Sequence, residues 1–168
     1  MTLQRLNALP DDEATAAFLT CCGSTRWARG MARRRPFRSQ ADLFAAADDV
    51  WLALDPEDRD EAFRAHPRIG ERKAAPAQGA QAAAWSAQEQ SGAASAGDEV
   101  AAALAEGNRA YEERFGRTYI VCATGKTAEE MLAILRTRLA NDPDTELRAA
   151  AAEQAKITEL RLEKLLAG

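Results

Sequence analysis

The only histidine of the chain, His66, stands directly before a proline. Imidazole is the side chain whose ordinary pKa lies near neutrality, so it can take up and release a proton during a reaction. Pro67 disfavours helical backbone at the residue before it, which predicts that His66 lies at a helix end and faces a loop. The partial negative charge at such an end favours the protonated ring. A general acid or base and a capping or merely exposed histidine are both compatible with this position.

A second group of polar residues is Ser86, Glu89 and Gln90. Ser-x-x-Glu is typical of a capping box, and it predicts that Trp85-Ser86-Ala87-Gln88-Glu89 opens a helix. The alternative is a binding site, in which the free N–H groups of the helix N-terminus hold a polar or anionic ligand while these three side chains contact its edges. One residue can serve both purposes.

Arg161 is a cation on an apolar helix face. At 100° per residue it projects between Ile157 and Leu165, with Gln154 on the same side. A guanidinium directed into a core needs a partner, and its fork suits a carboxylate. That carboxylate belongs either to the protein, as a structural salt bridge, or to a substrate.

Six arginines are concentrated between Arg26 and Arg38. Trp27 and Met31 are four residues apart in this stretch and are predicted to be core, which favours a solvated arginine face on one helix. The alternative is a non-catalytic helical binding module that uses this face for RNA or an acidic partner. The net charge of −4 argues against general nucleic-acid affinity.

The cysteines and the chain termini restrict the class further. Cys21, Cys22 and Cys122 are odd in number and too few for a disulfide framework, and with one histidine they form no recognisable metal site. No apolar run approaches a membrane span, and the N-terminus lacks the features of a signal peptide. We therefore expect a cytoplasmic protein with reduced cysteines.

The elements that position these residues are predicted to be helices. Alanine, the strongest helix former, accounts for 39 of 168 residues. Capping and periodicity predict helices from Ser39 through Leu54, from Asp55 toward Ala65, from Trp85, from Asp98 to Arg114, from Thr127 through Leu139 and from about Asp144 to Leu166. Residues 67 to about 84 are predicted to be a long loop, and Tyr119–Ala123 a buried extended segment or small strand. The expected fold is all-α, a single globular domain of about eight helices over residues 1–168.

Seven separated blocks of the sequence resemble one family. They are Cys22-Gly23-Ser24-x-x-Trp27, Arg35-Pro36-Phe37, His66-Pro67-Arg68-Ile69-Gly70, Ser86-x-x-Glu89-Gln90, Asn108-x-x-Tyr111-x-x-x-Phe115-Gly116, Ile120-Val121-Cys122-Ala123-x-Gly125-Lys126 and Lys156-Ile157-x-x-Leu160-Arg161-Leu162. In this order they resemble the 2-oxo-4-hydroxy-4-carboxy-5-ureidoimidazoline (OHCU) decarboxylases. The resemblance covers nearly the whole chain and is far more specific than any single motif.

The resemblance implies an all-helical homodimer that converts OHCU, an unstable product of urate breakdown, into (S)-allantoin and carbon dioxide without a cofactor or metal. It implies that His66 and Glu89 are the catalytic residues. The implied substrate contacts are Pro67, Ser86, Gln90, the backbone of Ile120, Val121, Cys122 and Ala123, and Arg161. Neither a nucleic acid nor a membrane is an implied partner. A related activity on another small ureido or carboxylated heterocycle is the rival within enzymes.

Overall fold

The computed structural model describes residues 1–71, 75 and 79–168, and within them it contains ten helices. These are α1 (Leu3–Ala8), α2 (Asp11–Cys21), α3 (Thr25–Arg33), α4 (Gln40–Leu52), α5 (Pro56–Arg64), α6 (Ala80–Glu89), α7 (Ser91–Ala94), α8 (Asp98–Phe115), α9 (Ala128–Arg138) and α10 (Pro143–Ala167). The all-α prediction is confirmed. The count exceeds the predicted eight because α1 and α7 have only six and four residues, too few for a periodic pattern.

Capping residues lie at the helix starts predicted at Ser39 and Thr127, and a glycine ends α8. The Ser39 side chain accepts a hydrogen bond from the Asp42 N–H at 3.1 Å before α4 begins. Thr127 accepts from the Glu130 N–H at 3.1 Å in the same way at the start of α9. Gly116 ends α8 with a φ of 69°, a left-handed conformation that glycine adopts without steric cost.

The predicted start of α6 is wrong. The helix begins at Ala80, capped by Gly79, rather than at Trp85. The stretch Gln81–Ala84 has high intrinsic helix propensity and no breaker, so the helix extends backward past the Ser-x-x-Glu pattern. The predicted loop therefore does not reach Ala84, and its residues 72–74 and 76–78 lie outside the described residues.

The segment Tyr119–Ala123 is buried, as predicted, and it forms neither a helix nor a strand; the described part of the chain contains no strand for it to pair with. Side chains replace the missing strand ladder. Arg138 donates to the Ile120 carbonyl, and Glu153 accepts the Cys122 N–H at 3.3 Å, while the Tyr119 side chain anchors the segment to α9 by donating to the Met131 carbonyl at 3.0 Å. Satisfying buried backbone groups in this way keeps the segment stable inside the protein.

The structure divides into two compact units, one made of Met1–Ala62 with Ala155–Gly168 and the other of Phe63–Gln154. We call them the terminal unit and the central unit. Helix α10 contributes residues to both. The single domain expected over residues 1–168 stays a prediction.

The core of the terminal unit is aromatic. The ring of Phe18 meets Trp27 edge-on at 6.0 Å and Phe37 at 6.3 Å between centroids. Trp27 and Met31 are fully buried, which confirms their predicted core positions. Helices α3 and α4 approach closely, because a Cβ atom at Gly30 would come within 2.8 Å of Val50.

The arginines near α3 divide into two kinds. Most are exposed, as a solvated face requires, and Arg34 pairs with Asp49 at 3.2 Å on that surface. Arg35 differs, since its side chain is only 7% exposed and it donates to the Leu6 carbonyl at 3.0 Å and to Asp11 at 2.6 Å. That arginine therefore holds the terminal unit together.

The core of the central unit lies between α8, α9 and the segment Tyr119–Ala123. Its buried members are Ile69, Ala93, Leu104, Tyr111, Tyr119, Val121, Ala123, Ala128, Met131, Leu132 and Leu135. A Cβ atom at Gly107 would come within 2.5 Å of Leu135, so glycine lets α8 and α9 pack at short range. This core supports the predicted site residues of the same unit. Among the described helices, none is long and apolar enough to cross a membrane.

Candidate active site

His66 follows the last turn of α5 and is half-buried. Its backbone N–H donates to the Phe63 carbonyl at 3.2 Å, and Pro67 then takes the chain out of the helix. The predicted position at a helix end is confirmed. Its ring Nε2 lies 2.6 Å from Oε1 of Gln154, a residue 88 positions further along the chain.

The segment after His66 is held at two points. The Asn108 side-chain amide donates to the Ile69 carbonyl at 2.9 Å, and the Gly70 N–H donates to Gln90 Oε1 at 3.1 Å. Gly70 has a φ of +89°, so the turn at this position favours glycine. These contacts fix the backbone that follows His66, including the buried Pro67.

Arg68 anchors the same segment from its exposed side. Its guanidinium forms a bidentate pair with Glu112, at 2.5 and 3.1 Å, and also bonds Glu71 at 3.1 Å. Both acids raise the pKa of Arg68. Bidentate geometry restricts orientation more than a single ion pair does.

Ser86, Glu89 and Gln90 lie at the end of α6, which corrects the prediction that they cap its start. Ser86 is buried, its carbonyl accepts from the Gln90 N–H at 3.0 Å, and Glu89 is the last helical residue. A capping box requires the serine to precede the first turn of the helix, where the backbone N–H groups have no intrahelical acceptor. Ser86 lies inside α6, after that turn. The free N–H groups suggested for an anion therefore lie at the other end of α6.

The segment Ile120, Val121, Cys122 and Ala123 is buried, and side chains bond the main chain at its third residue. The Cys122 N–H donates to Glu153 Oε1 at 3.3 Å, and its carbonyl accepts from Lys126 Nζ at 2.6 Å. Burial raises the pKa of the Cys122 thiol; Lys126 lowers it, and the charges of Glu153 and Glu89 raise it. The Glu89 carboxylate is therefore close enough for its charge to act on the Cys122 thiol.

Arg161 points inward as predicted, being 3% exposed on α10 in the terminal unit. Burial raises the pKa of the Cys21 thiol to about 12 and that of Cys22 to about 11, and the Arg161 charge opposes both shifts. A structural salt bridge and a substrate contact both stay predictions for Arg161.

Cysteine, histidine and acidic side chains are the groups through which a protein holds a metal ion. All three cysteines are free and buried in the described residues. No group of three or more histidine, cysteine, aspartate or glutamate side chains in the described ranges is arranged to hold a metal ion.

The central unit contains every predicted site residue except Arg161. Sequence reasoning gave no site role to the groups that hold them in place, namely Asn108, Glu153 and Gln154, although it placed Gln154 on the same helix side as Arg161. Each of the three is polar and lies on a helix, and Asn108 and Gln154 are at least 96% buried. Polar residues at inward positions of a predicted helix are the signal that could have found them.

The OHCU decarboxylase family matches residues 7–163 of the chain. The chain belongs to this family. A solved OHCU decarboxylase, determined in the presence of (S)-allantoin, is 36% identical with a TM-score of 0.79, covering 95% of this chain and all of that one. Membership of this family confirms, at the level of the family, the predicted carboxy-lyase of urate degradation. The comparisons do not support the alternative of a non-catalytic binding module.

Two curated relatives agree. The uric acid degradation bifunctional protein of Arabidopsis thaliana is 41% identical over 86% of this chain, which spans only 45% of that relative's length. The OHCU decarboxylase of Amia calva is 34% identical over 79% of this chain and 75% of its own length.

Proposed function

We propose that this protein decarboxylates OHCU and releases (S)-allantoin and carbon dioxide, working without a cofactor. The observation that carries the proposal is the family match over residues 7–163, reinforced by a related structure determined with (S)-allantoin. In the central unit, a histidine held by a buried amide is consistent with proton transfer.

The substrate can accept its own electrons. When the C–C bond to the carboxylate breaks, the electron pair passes into the neighbouring ring C=N, whose nitrogen takes up a proton. The resulting enol loses its hydroxyl proton, and the adjacent ring carbon gains one. This electron sink does what an external cofactor does in other decarboxylases.

His66 and Glu89 move these protons in our proposal. Imidazole can release and recover a proton near neutral pH, and the half-buried carboxylate at the end of α6 supplies the second group. Arg161 or backbone N–H groups orient the substrate carboxylate, as charge-assisted hydrogen bonds do. Pro67, Ser86, Gln90 and the segment Ile120, Val121, Cys122 and Ala123 complete the proposed contacts.

Stereocontrol is the part of the task that needs an enclosed site. Spontaneous decay of OHCU gives both enantiomers of allantoin. To form (S)-allantoin only, the enzyme must protonate the ring carbon on one face. The buried segment Tyr119–Ala123 provides apolar side chains that exclude water from such a site.

Replacing the histidine tests the proposal. His66→Ala should abolish stereospecific formation of (S)-allantoin, because the proton-transfer group is gone, while the far-UV circular dichroism stays that of a helical protein. Arg64→Ala, which changes an exposed residue of α5, is the matched control and should retain activity. Near-normal (S)-allantoin production by folded His66→Ala would contradict the assignment.

We extend the proposal to a homodimer in the cytoplasm that binds neither nucleic acid nor membranes, as the family resemblance and the acidic net charge suggest. Sedimentation equilibrium should then give twice the 18.2 kDa mass of the chain.

A further inference from the structure

The contact between His66 and Gln154 specifies which ring nitrogen holds hydrogen. Oε1 of Gln154 lies 2.6 Å from Nε2 of His66. An amide oxygen accepts hydrogen bonds and cannot donate them, so the ring nitrogen that faces it must be the donor. The imidazolium and the Nε2–H tautomer satisfy this contact, whereas the Nδ1–H tautomer does not.

The burial and the helical position of Gln154 allow it to hold the His66 ring in one tautomer. It is fully buried, at 0% exposure, on α10, the longest helix of the described chain. Its neighbour Glu153 accepts the Cys122 N–H at 3.3 Å, so consecutive residues of α10 contact His66 and the segment Tyr119–Ala123. A buried acceptor that lost its donor would cost free energy, which ties the ring orientation to the packing of α10.

We propose that Gln154 is a positioning residue of the decarboxylase, which fixes the ring orientation of His66 and keeps hydrogen on its Nε2. This inference rests on the proposed function only where it assigns His66 to proton transfer. The two ring nitrogens of a histidine are chemically distinct, and the hydrogen bond made by one determines what the other can do. Gln154 therefore selects the form of His66 that meets the substrate.

The single histidine makes a direct spectroscopic test possible. In untagged, ¹⁵N-labelled protein, a long-range ¹H–¹⁵N correlation spectrum shows the imidazole nitrogens of His66 alone. At a pH where the ring is neutral, the wild-type chain should show the Nε2–H tautomer as the major form. A major Nδ1–H tautomer would overturn the proposal.

Two replacements at position 154 separate positioning from simple packing. Gln154→Met keeps the approximate side-chain size but removes the acceptor, so the tautomer population should shift away from Nε2–H. Gln154→Glu keeps an acceptor at the same reach and should restore hydrogen on Nε2. An unchanged spectrum in Gln154→Met would refute the inference, and so would a loss of Nε2–H in a folded Gln154→Glu.

Steady-state kinetics of the same variant provides a second test of the positioning role. Gln154→Met should lower kcat on the order of 10- to 100-fold, since a misoriented catalytic group costs that much, while KM changes little. Gln4→Met, on the exposed face of α1, is the control and should leave both constants unchanged. A folded Gln154→Met with wild-type kcat would contradict a positioning role.

These experiments also distinguish the two proposals from each other. Loss of activity in His66→Ala with wild-type behaviour of Gln154→Met would refute only the positioning role. The predicted tautomer together with full activity of His66→Ala would refute only the catalytic assignment of His66.

Discussion

At the scale of single residues, the sequence located His66 but not its partner. The proline after it predicted the helix end, because that constraint is local. The hydrogen bond to Gln154 joins residues 88 positions apart, and no local pattern reports such a contact. The inward direction of Arg161 was predictable because helical periodicity alone determines it.

The role of Arg161 can be decided by removing its charge. Our proposal gives the substrate carboxylate either to Arg161 or to backbone N–H groups. If Arg161 binds it, Arg161→Leu should raise KM on the order of 10- to 100-fold, as expected for the loss of charge-assisted hydrogen bonds. Steady-state kinetics measures this effect, and thermal unfolding provides the control. A large drop in Tm would instead show the structural salt bridge.

A different arginine has a structural partner in the central unit. Arg138 Nε donates to Glu146 Oε1 at 2.7 Å, and Tyr111 OH donates to the same oxygen at 2.6 Å. Glu146 is fully buried, so Arg138→Met should lower the free energy of unfolding by about 3–5 kcal/mol by leaving a buried charge without its cation.

The matched control for that change is on the surface of the terminal unit. Arg34→Met removes the exposed pair with Asp49 and should cost less than about 1 kcal/mol. Urea unfolding of both variants gives the comparison. Equal losses would show that burial does not determine the strength of the Arg138 pair.

At the scale of elements, capping patterns succeeded where a breaker preceded them. Ser39 and Thr127 begin α4 and α9 as predicted. Ser86-x-x-Glu89 failed because an alanine-rich stretch precedes it, and helix propensity carried α6 back to Ala80. The position of Ser86 at the end of α6 therefore depended on the residues upstream rather than on the motif.

The left-handed glycine that ends α8 provides a test at this scale. Gly116→Ala should lower the free energy of unfolding by about 1–2 kcal/mol, because an L-residue at a φ of 69° is strained. Apart from the adjoining residues of the chain, nothing lies within 4 Å of the added Cβ, so backbone strain dominates the measured loss.

Gly97, which caps the start of the same helix, is the control for that substitution. Its φ is −65° and its Cβ position is equally open, so Gly97→Ala should change stability little. Chemical denaturation compares the two variants. A loss in Gly97→Ala as large as that in Gly116→Ala would contradict the explanation by strain.

At the scale of the whole molecule, the order of motifs was more informative than any element. Seven blocks spread from Cys22 to Leu162 predicted the family, and the match over residues 7–163 confirms it. Physical patterns alone led to a small helical protein with a candidate site, because helical periodicity does not depend on which reaction a site performs.

The stereochemistry of the product tests the central claim most directly. Circular dichroism should be recorded on freshly generated OHCU with and without the wild-type protein. We predict that the protein accelerates the decay of OHCU and that the only allantoin signal in the spectrum is that of the (S) enantiomer. Decay at the spontaneous rate to optically inactive allantoin, in the presence of folded protein, would contradict the account.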